Sequence, residues 1–173
     1  CRLEAERPAD PAEAAAELVA AGKVVGWARG RAEFGPRALG NRSILADATD
    51  PSVAARLRAT VKPRETHHPY GMSVTREAAA GLLEKDREAP FMLVPALVRP
   101  SERSRIPAVV LADGTVRIQT VDRAADPAFH ALLEGVGRRR GLAAAVNTSL
   151  NLPGRPPALT AREVLECYFT TGM

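Results

Sequence analysis

Five short apolar runs alternate with capped helical segments along this chain, and that alternation constrains the fold most. The runs are residues 24–28, 44–46, 70–75, 116–121 and 142–146. Each is too short for a buried helix and long enough for a sheet strand. Between them lie helix starts of a recognisable kind. Asp10-Pro11-Ala12-Glu13 places Asp at the N-cap, Pro at the first helical position and Glu two residues on; Gly22 closes that helix. Asp50-Pro51 opens a second helix, read to about Val61, by the same logic. Residues 77–83 form a helix or helical turn. Pro127 to Arg140 is amphipathic, with Phe129, Leu132, Leu133 and Val136 on one side and Gly141 beyond its end. Thr160-Ala161-Arg162-Glu163 is a capping box for a last helix through about Tyr168. The pattern predicts an α/β domain, a mixed sheet covered by helices.

Two further strands are expected at 91–97 and 106–112. Asp113-Gly114 is the strongest hairpin signal and predicts that 109–111 pairs with 116–121. In the second of these, Val116, Ile118 and Thr120 alternate with Arg117 and Gln119, whose side of the strand is expected to be solvated.

The chain has 173 residues, which suits one domain; residues 1–9 read as a linker and 10–173 as the folded unit. It starts at Cys1 and stops soon after the last helix, so it reads as a piece of a longer protein. No apolar run approaches the ~18 residues of a membrane helix, and the N-terminus lacks a signal peptide's apolar core. Cys1 and Cys167 make neither a disulfide framework nor a metal motif, which points to the cytoplasm. Net charge is only +4 and aromatics are 4%, so nucleic acid is not an expected partner. Of 24 basic residues only Lys23, Lys62 and Lys85 are lysines. Codon bias explains most of that skew. Recognition of phosphate or carboxylate by forked guanidinium groups would explain the rest.

Three clusters offer chemistry. Residues 29–43 carry Arg29, Arg31, Arg37 and Arg42 among Gly30, Gly35, Pro36 and Gly40, but no Gly-Lys-Ser/Thr closes a phosphate loop. The plain alternative is a surface loop whose arginines pair with Glu33 and Asp47. Lys62 and Arg64 are two apart in an extended segment and point the same way. His67 and His68 are adjacent and so face opposite sides; with His130 remote, a histidine metal site is weak. Asn147, Ser149 and Asn151 follow a buried strand, where an α/β sheet often meets its ligand; an ordinary Asn-, Ser- and Gly-rich turn is the alternative. Arg117 is a further basic group. There is no nucleophile elbow and no acidic pair. The chain offers anion grips, which act by positioning and charge neutralisation.

These residues resemble a known family. Gly26-Trp27 followed by Gly30-Arg-Ala-Glu-Phe-Gly-Pro-Arg-Ala-Leu-Gly-Asn-Arg-Ser-Ile-Leu-Ala-Asp47 resembles the signature of the C-terminal domain of O-carbamoyltransferases, the nodulation-factor and antibiotic-tailoring enzymes. The likeness continues through Lys62-x-Arg64-Glu65, 113–120, Asn147-Thr-Ser149-Leu-Asn151 and Thr171-Gly-Met173. The resemblance implies a YrdC-like fold, shared with threonylcarbamoyl-adenylate synthases. It implies that carbamoyl phosphate is cleaved to carbamate and phosphate. Carbamate then attacks the α-phosphate of ATP, giving carbamoyl-adenylate and pyrophosphate. A separate N-terminal, Kae-like, metal-binding domain would pass the carbamoyl group to a small-molecule hydroxyl acceptor.

On this resemblance Lys62, Arg64 and Arg37 are catalytic. Arg31, Arg42, Arg117, Asn147, Ser149 and Asn151 bind substrate or ATP, with Ser149 and Asn151 near Mg²⁺. The ion arrives with ATP and not on protein side chains. The family's Arg after Lys-x-Arg-Glu is replaced by His68. A free-standing threonylcarbamoyl-adenylate synthase, an RNA-binding module of the same fold and a degenerate structural platform are the alternatives.

Overall fold

The computed structural model describes residues 5–63 and 68–173. Its centre is a mixed sheet of six strands in the order β1-β2-β6-β3-β5-β4. These are β1 (Val25–Ala28), β2 (Arg42–Asp47), β3 (Gly71–Thr75), β4 (Pro95–Leu97), β5 (Thr115–Val121) and β6 (Ala144–Ser149). Only β3 and β5 run parallel; the other neighbours are antiparallel. The expected α/β class with a mixed sheet and flanking helices is what the chain forms.

Helices α1 (Pro11–Ala20) and α4 (Pro127–Arg140) cover one face. Ala12, Ala15, Ala16 and Val19 of α1 meet Phe129, Leu132, Leu133 and Val136 of α4 over Leu45, Ala145 and Val121. With so many alanines, α1 lies close against its neighbour; a Cβ on Gly135 would meet Ala16 at 2.6 Å. The other face buries Ile44, Ala46, Met72, Val74, Val116, Ile118 and Val146. It is covered by α2 (Val53–Arg56), the π-helical turn Leu57–Val61, α3 (Arg76–Leu82), parts of the segments 83–89 and 96–110, and α5 (Ala161–Thr171). Strands covered on both sides read as continuous apolar runs, hence the run at 44–46.

The caps hold where local chemistry decides them. Asp10 accepts from Ala12 N and Glu13 N, Asp126 from Phe129 N, and Thr160 and Glu163 form the full capping box. At Asp50 local chemistry decides differently. Its carboxylate takes Ser52 N and Oγ in a turn, and α2 begins only at Val53.

The expected hairpin does not form. Residues 106–112 are not a strand. Leu111 N donates to Thr115 O and the turn closes there, with Gly114 at φ +80. Both edges of β5 are taken by β3 and β4, so 109–111 has no edge to join. The expected strand over 91–97 shrinks to Pro95–Leu97. Asn147 and Ser149, expected in a loop, are the last residues of β6.

His130 is buried on α4 (1% exposed), with Nε2 3.0 Å from Glu77 Oε2 on α3. The His130 hydrogen bond is the main cause that lowers the Glu77 carboxyl below its ordinary value. A lowered native value adds stability that is present above the unfolded carboxylate range and is lost as pH falls through the native one. The Glu77 side chain is 66% exposed, so the contribution is small. Glu77→Gln should therefore leave stability near pH 7 slightly reduced and flatten its decline in acid. Urea midpoints at pH 3–7 check this; parallel wild-type and variant curves would refute it.

Gly40 joins the loop to the core. Its φ is +106, and a Cβ there would stand 2.4 Å from the buried Phe129 ring. Gly40→Ala should cost roughly 2–4 kcal/mol, from backbone strain and overpacking together. Denaturant titration measures it; a loss below about 0.5 kcal/mol would show that Phe129 gives way freely.

Candidate anion-binding cleft

The α1/α4 face of the sheet divides into two zones. Its lower part is apolar, under the helices. Further along the same strands come Ser73 opposite Gln119, and Asn147, two residues beyond the β6 partner of Ser73 and opposite Gly71. The Gly- and Arg-rich segment between β1 and β2 lies over this polar zone. Gln119 Nε2 donates to Leu39 O at 3.0 Å and Asn147 Nδ2 to Ala38 O at 3.1 Å. Gln119 is therefore buried under a loop, whereas a solvated face was expected.

The loop is pinned from three sides. Glu33 Oε1 accepts the backbone N–H groups of Leu39, Asn41 and Arg42 at 2.6, 2.8 and 3.1 Å. Trp27 Nε1 and Arg29 Nε both donate to Gly40 O, at 2.8 and 2.9 Å. Arg29 also pairs with Asp126 at the start of α4. Arg42 spends its whole fork on carbonyls. Nε reaches Ala158 O at 2.8 Å; Nη1 reaches Arg29 O and Asn41 O at 2.7 and 2.8 Å; Nη2 reaches Gly30 O and Leu159 O at 3.0 and 3.3 Å. A ligand-binding guanidinium was expected at Arg42. Its donors instead tie the loop to the segment before α5. Glu33 and Asp47 are not the arginine partners of a plain surface loop either. Glu33 takes backbone donors, and Asp47 pairs with Arg140 at 2.6 Å.

What the pinned loop presents is Arg37. With Pro36 and Ala38 it lines a narrow cleft of about 60 Å³, whose other walls are Gly71, Met92, Arg117, Asn147, Thr148 and Ser149. Arg37, Arg117, Asn147 and Ser149 are thus brought together from four places in the sequence. Arg31 is exposed and does not line this cleft. Gly71 has no room for a side chain: a Cβ would meet Met92 Sδ at 2.4 Å and Asn147 O at 3.1 Å. Met92 reaches that place with a positive φ of 53. Beyond Leu39 and Gln119 opens a second cavity of about 380 Å³, with Pro90 and Phe91 in its wall and the carboxylates of Glu88, Asp122 and Asp126.

Lys62 lies behind Ser149 and is 6% exposed. Its ammonium donates to Ser149 O at 2.9 Å, Asn151 O at 3.0 Å, Ser149 Oγ at 3.3 Å and Asn151 Oδ1. These oxygens are already filled by a cation, so they do not fit Mg²⁺ as well. Among the described residues no group of three or more His, Cys, Asp or Glu is placed to hold a metal. Tyr70 Oη donates to Lys62 O at 3.0 Å and fixes the base of that segment. Arg64 and His67 lie outside the described residues. His68 is exposed. Cys167, under the Lys62 segment, is buried, and burial pushes its thiol up, as for an inert structural cysteine.

Glu33, Ser73 and Gln119, which hold the loop and the cleft floor, were not among the expected site residues. Glu33 was visible only as the acid inside the Arg-rich motif. Ser73 carried no signal beyond its place in a strand.

The architecture is that of YrdC-like domains. It matches full-length HypF in its phosphate- and nucleotide-bound form with a TM-score of 0.64 at 17% identity, covering 97% of this chain and 21% of that one. It matches P. abyssi Sua5 (H234A/Y235A) with a TM-score of 0.59 at 16% identity, covering 91% and 45%. At these identities the likeness is one of fold. The carbamoyltransferase C-terminus family model matches residues 16–173, and the chain belongs to that family as its C-terminal domain. Nodulation protein NolNO of Sinorhizobium fredii is 40% identical over 174 residues, 99% of this chain and 26% of the relative. The 3'-hydroxymethylcephem-O-carbamoyltransferase of Streptomyces clavuligerus is 43% identical over 141 residues, 82% of this chain and 26% of the relative. The chain spans about a quarter of the length of these relatives. Among the described residues no helix is long and apolar enough to cross a membrane.

Proposed function

We propose that this domain makes carbamoyl-adenylate from carbamoyl phosphate and ATP, in the cytoplasm, for a natural-product O-carbamoyltransferase. The observation that carries the reading is the convergence of Arg37 and Arg117 on one cleft at the carboxyl end of β6, beside the buried Lys62 ammonium. Two arginines lining a small polar cleft, with an ammonium behind its Ser149 wall, suit substrates whose reacting groups are phosphates. Family membership and the nucleotide-bound state of the similarly folded HypF support the same reading.

In this scheme carbamoyl phosphate is hydrolysed to carbamate and phosphate. A carbamate oxygen attacks the α-phosphorus of ATP, and pyrophosphate leaves. Arg37 and Arg117 hold phosphate oxygens. Lys62 keeps Ser149 and Asn151 in place and adds positive charge behind them; direct contact with a phosphate requires it to release an oxygen it now holds. Arg64 acts with Lys62. Arg31 and His68 meet substrate only from the rim, and Arg42 acts by holding the loop. Mg²⁺ enters with the ATP phosphates. Transfer to an acceptor hydroxyl belongs to a separate, metal-binding, Kae-like N-terminal domain.

The test is incubation with carbamoyl phosphate and α-labelled ATP. The expected result is pyrophosphate release and labelled carbamoyl-AMP. Threonine with bicarbonate should not replace carbamoyl phosphate; if it does, the domain is a threonylcarbamoyl-adenylate synthase instead. A folded chain that binds neither ATP nor carbamoyl phosphate would sink both readings.

A further inference from the structure

Among the described residues, two buried side-chain polar atoms lack a hydrogen-bond partner: Arg37 Nε and Asn147 Oδ1. Both residues line the same cleft. Buried polar atoms are paired in the great majority of cases, so two orphans on one cleft point to a ligand. One is a donor and the other an acceptor.

The orientation of the Asn147 amide is dictated by its neighbours. Nδ2 donates to Ala38 O at 3.1 Å and to Ser73 Oγ at 2.8 Å, with Gln119 Oε1 further off at 3.4 Å. Ser73 Oγ passes its own proton to Gln119 Oε1 at 2.6 Å. Gln119 is oriented in turn by Nε2 donating to Leu39 O. Carbonyl oxygens only accept, so turning either amide over would set oxygen against oxygen. Oδ1 is therefore locked as an acceptor, and its match is an N–H or O–H donor. Arg37 Nε is held as a donor, and its match is an oxygen.

Near neutral pH phosphate offers chiefly acceptors, and a methyl group offers neither. A carbamoyl unit offers an amino donor and an oxygen acceptor on one planar carbon. We infer that Asn147 Oδ1 receives the amino group of the carbamoyl unit while Arg37 Nε donates to its oxygen. Asn147 is thus the residue that selects carbamoyl phosphate over acyl phosphates of the same size. This rests on the reading of the cleft as a carbamoyl phosphate site.

The probe is acetyl phosphate, which carries CH₃ where carbamoyl phosphate carries NH₂. Calorimetric titration of the chain should show carbamoyl phosphate bound at least about tenfold more tightly, since a site built to pair a polar group rejects the analogue that lacks it. In Asn147→Ala that ratio should fall below about threefold. The wild-type comparison alone can overturn the inference: equal binding of the two phosphates does so without any variant. It is also overturned if Asn147→Ala keeps the ratio. A third overturning result is loss of preference for ATP over inosine triphosphate, for then Asn147 reads the amino group of the base. Binding of ATP and carbamoyl phosphate without discrimination leaves the proposed function standing and removes only this inference. If a folded chain binds neither, both fall.

Discussion

Arg42→Lys should destabilise the domain by roughly 3–5 kcal/mol, although the charge is kept. The five guanidinium N–H groups of Arg42 meet five backbone carbonyls, on residues 29, 30, 41, 158 and 159. An ammonium has three protons at one point and cannot span that set. Asn41 O keeps the Arg29 N–H, and the exposed Gly30 and Leu159 can turn to water, but the carbonyl of the buried Ala158 would lose this donor. Each unmatched buried acceptor costs about 1–3 kcal/mol, softened where water can enter. The loop carrying Arg37 and the segment leading to α5 would lose their common tie. Urea unfolding measures the loss. A cost under about 1 kcal/mol would mean that water replaces the fork and that Arg42 is not a structural clamp.

Part of this architecture was legible in the sequence, where the deciding chemistry is local. Capping is local, and helices α1, α4 and α5 begin where Asp10, Pro127 and Thr160 place them, with Asp126 the N-cap that the structure adds. Strand pairing is not local. Asp113-Gly114 does make a tight turn, with Thr115 N and Oγ1 bonded to Asp113 Oδ1. Yet β5 is claimed on both edges by β3 and β4, so the turn opens no ladder. The Gly- and Arg-rich segment could be singled out from its composition and family likeness. The fates of its arginines could not be read there. Arg29 goes to Asp126 and Gly40 O, Arg42 to five carbonyls, Arg31 to the surface and Arg37 to the cleft. Those fates depend on α4, α5 and β6, which are remote in the chain. Gln119 makes the same point. Its polar side of β5 reads as solvated until the loop from 29 to 41 is laid over it.

Arg37→Met should do the reverse of Arg42→Lys: carbamoyl phosphate-dependent pyrophosphate release falls about 10²–10³-fold, and stability does not fall. Arg37 Nε is a buried donor without a partner. A group in that condition costs the folded state free energy in the absence of ligand, so replacing it with an apolar chain of similar reach is neutral or mildly stabilising. Its value is realised only when an anion fills the cleft. A donor fixed in a water-poor site before the reaction needs no reorganisation when charge develops, which is where its rate effect comes from. Glu33 and Arg42 hold the loop that carries Arg37, so the two substitutions separate the device from its mount. The required pattern is low activity with an unchanged or higher denaturation midpoint in Arg37→Met, and a lowered midpoint in Arg42→Lys. If Arg37→Met unfolds as readily as Arg42→Lys, Arg37 is part of the mount and Arg117 is left as the cleft's anion-binding arginine. If it keeps wild-type activity, the anion is held elsewhere, by Arg117 or the segment after Lys62.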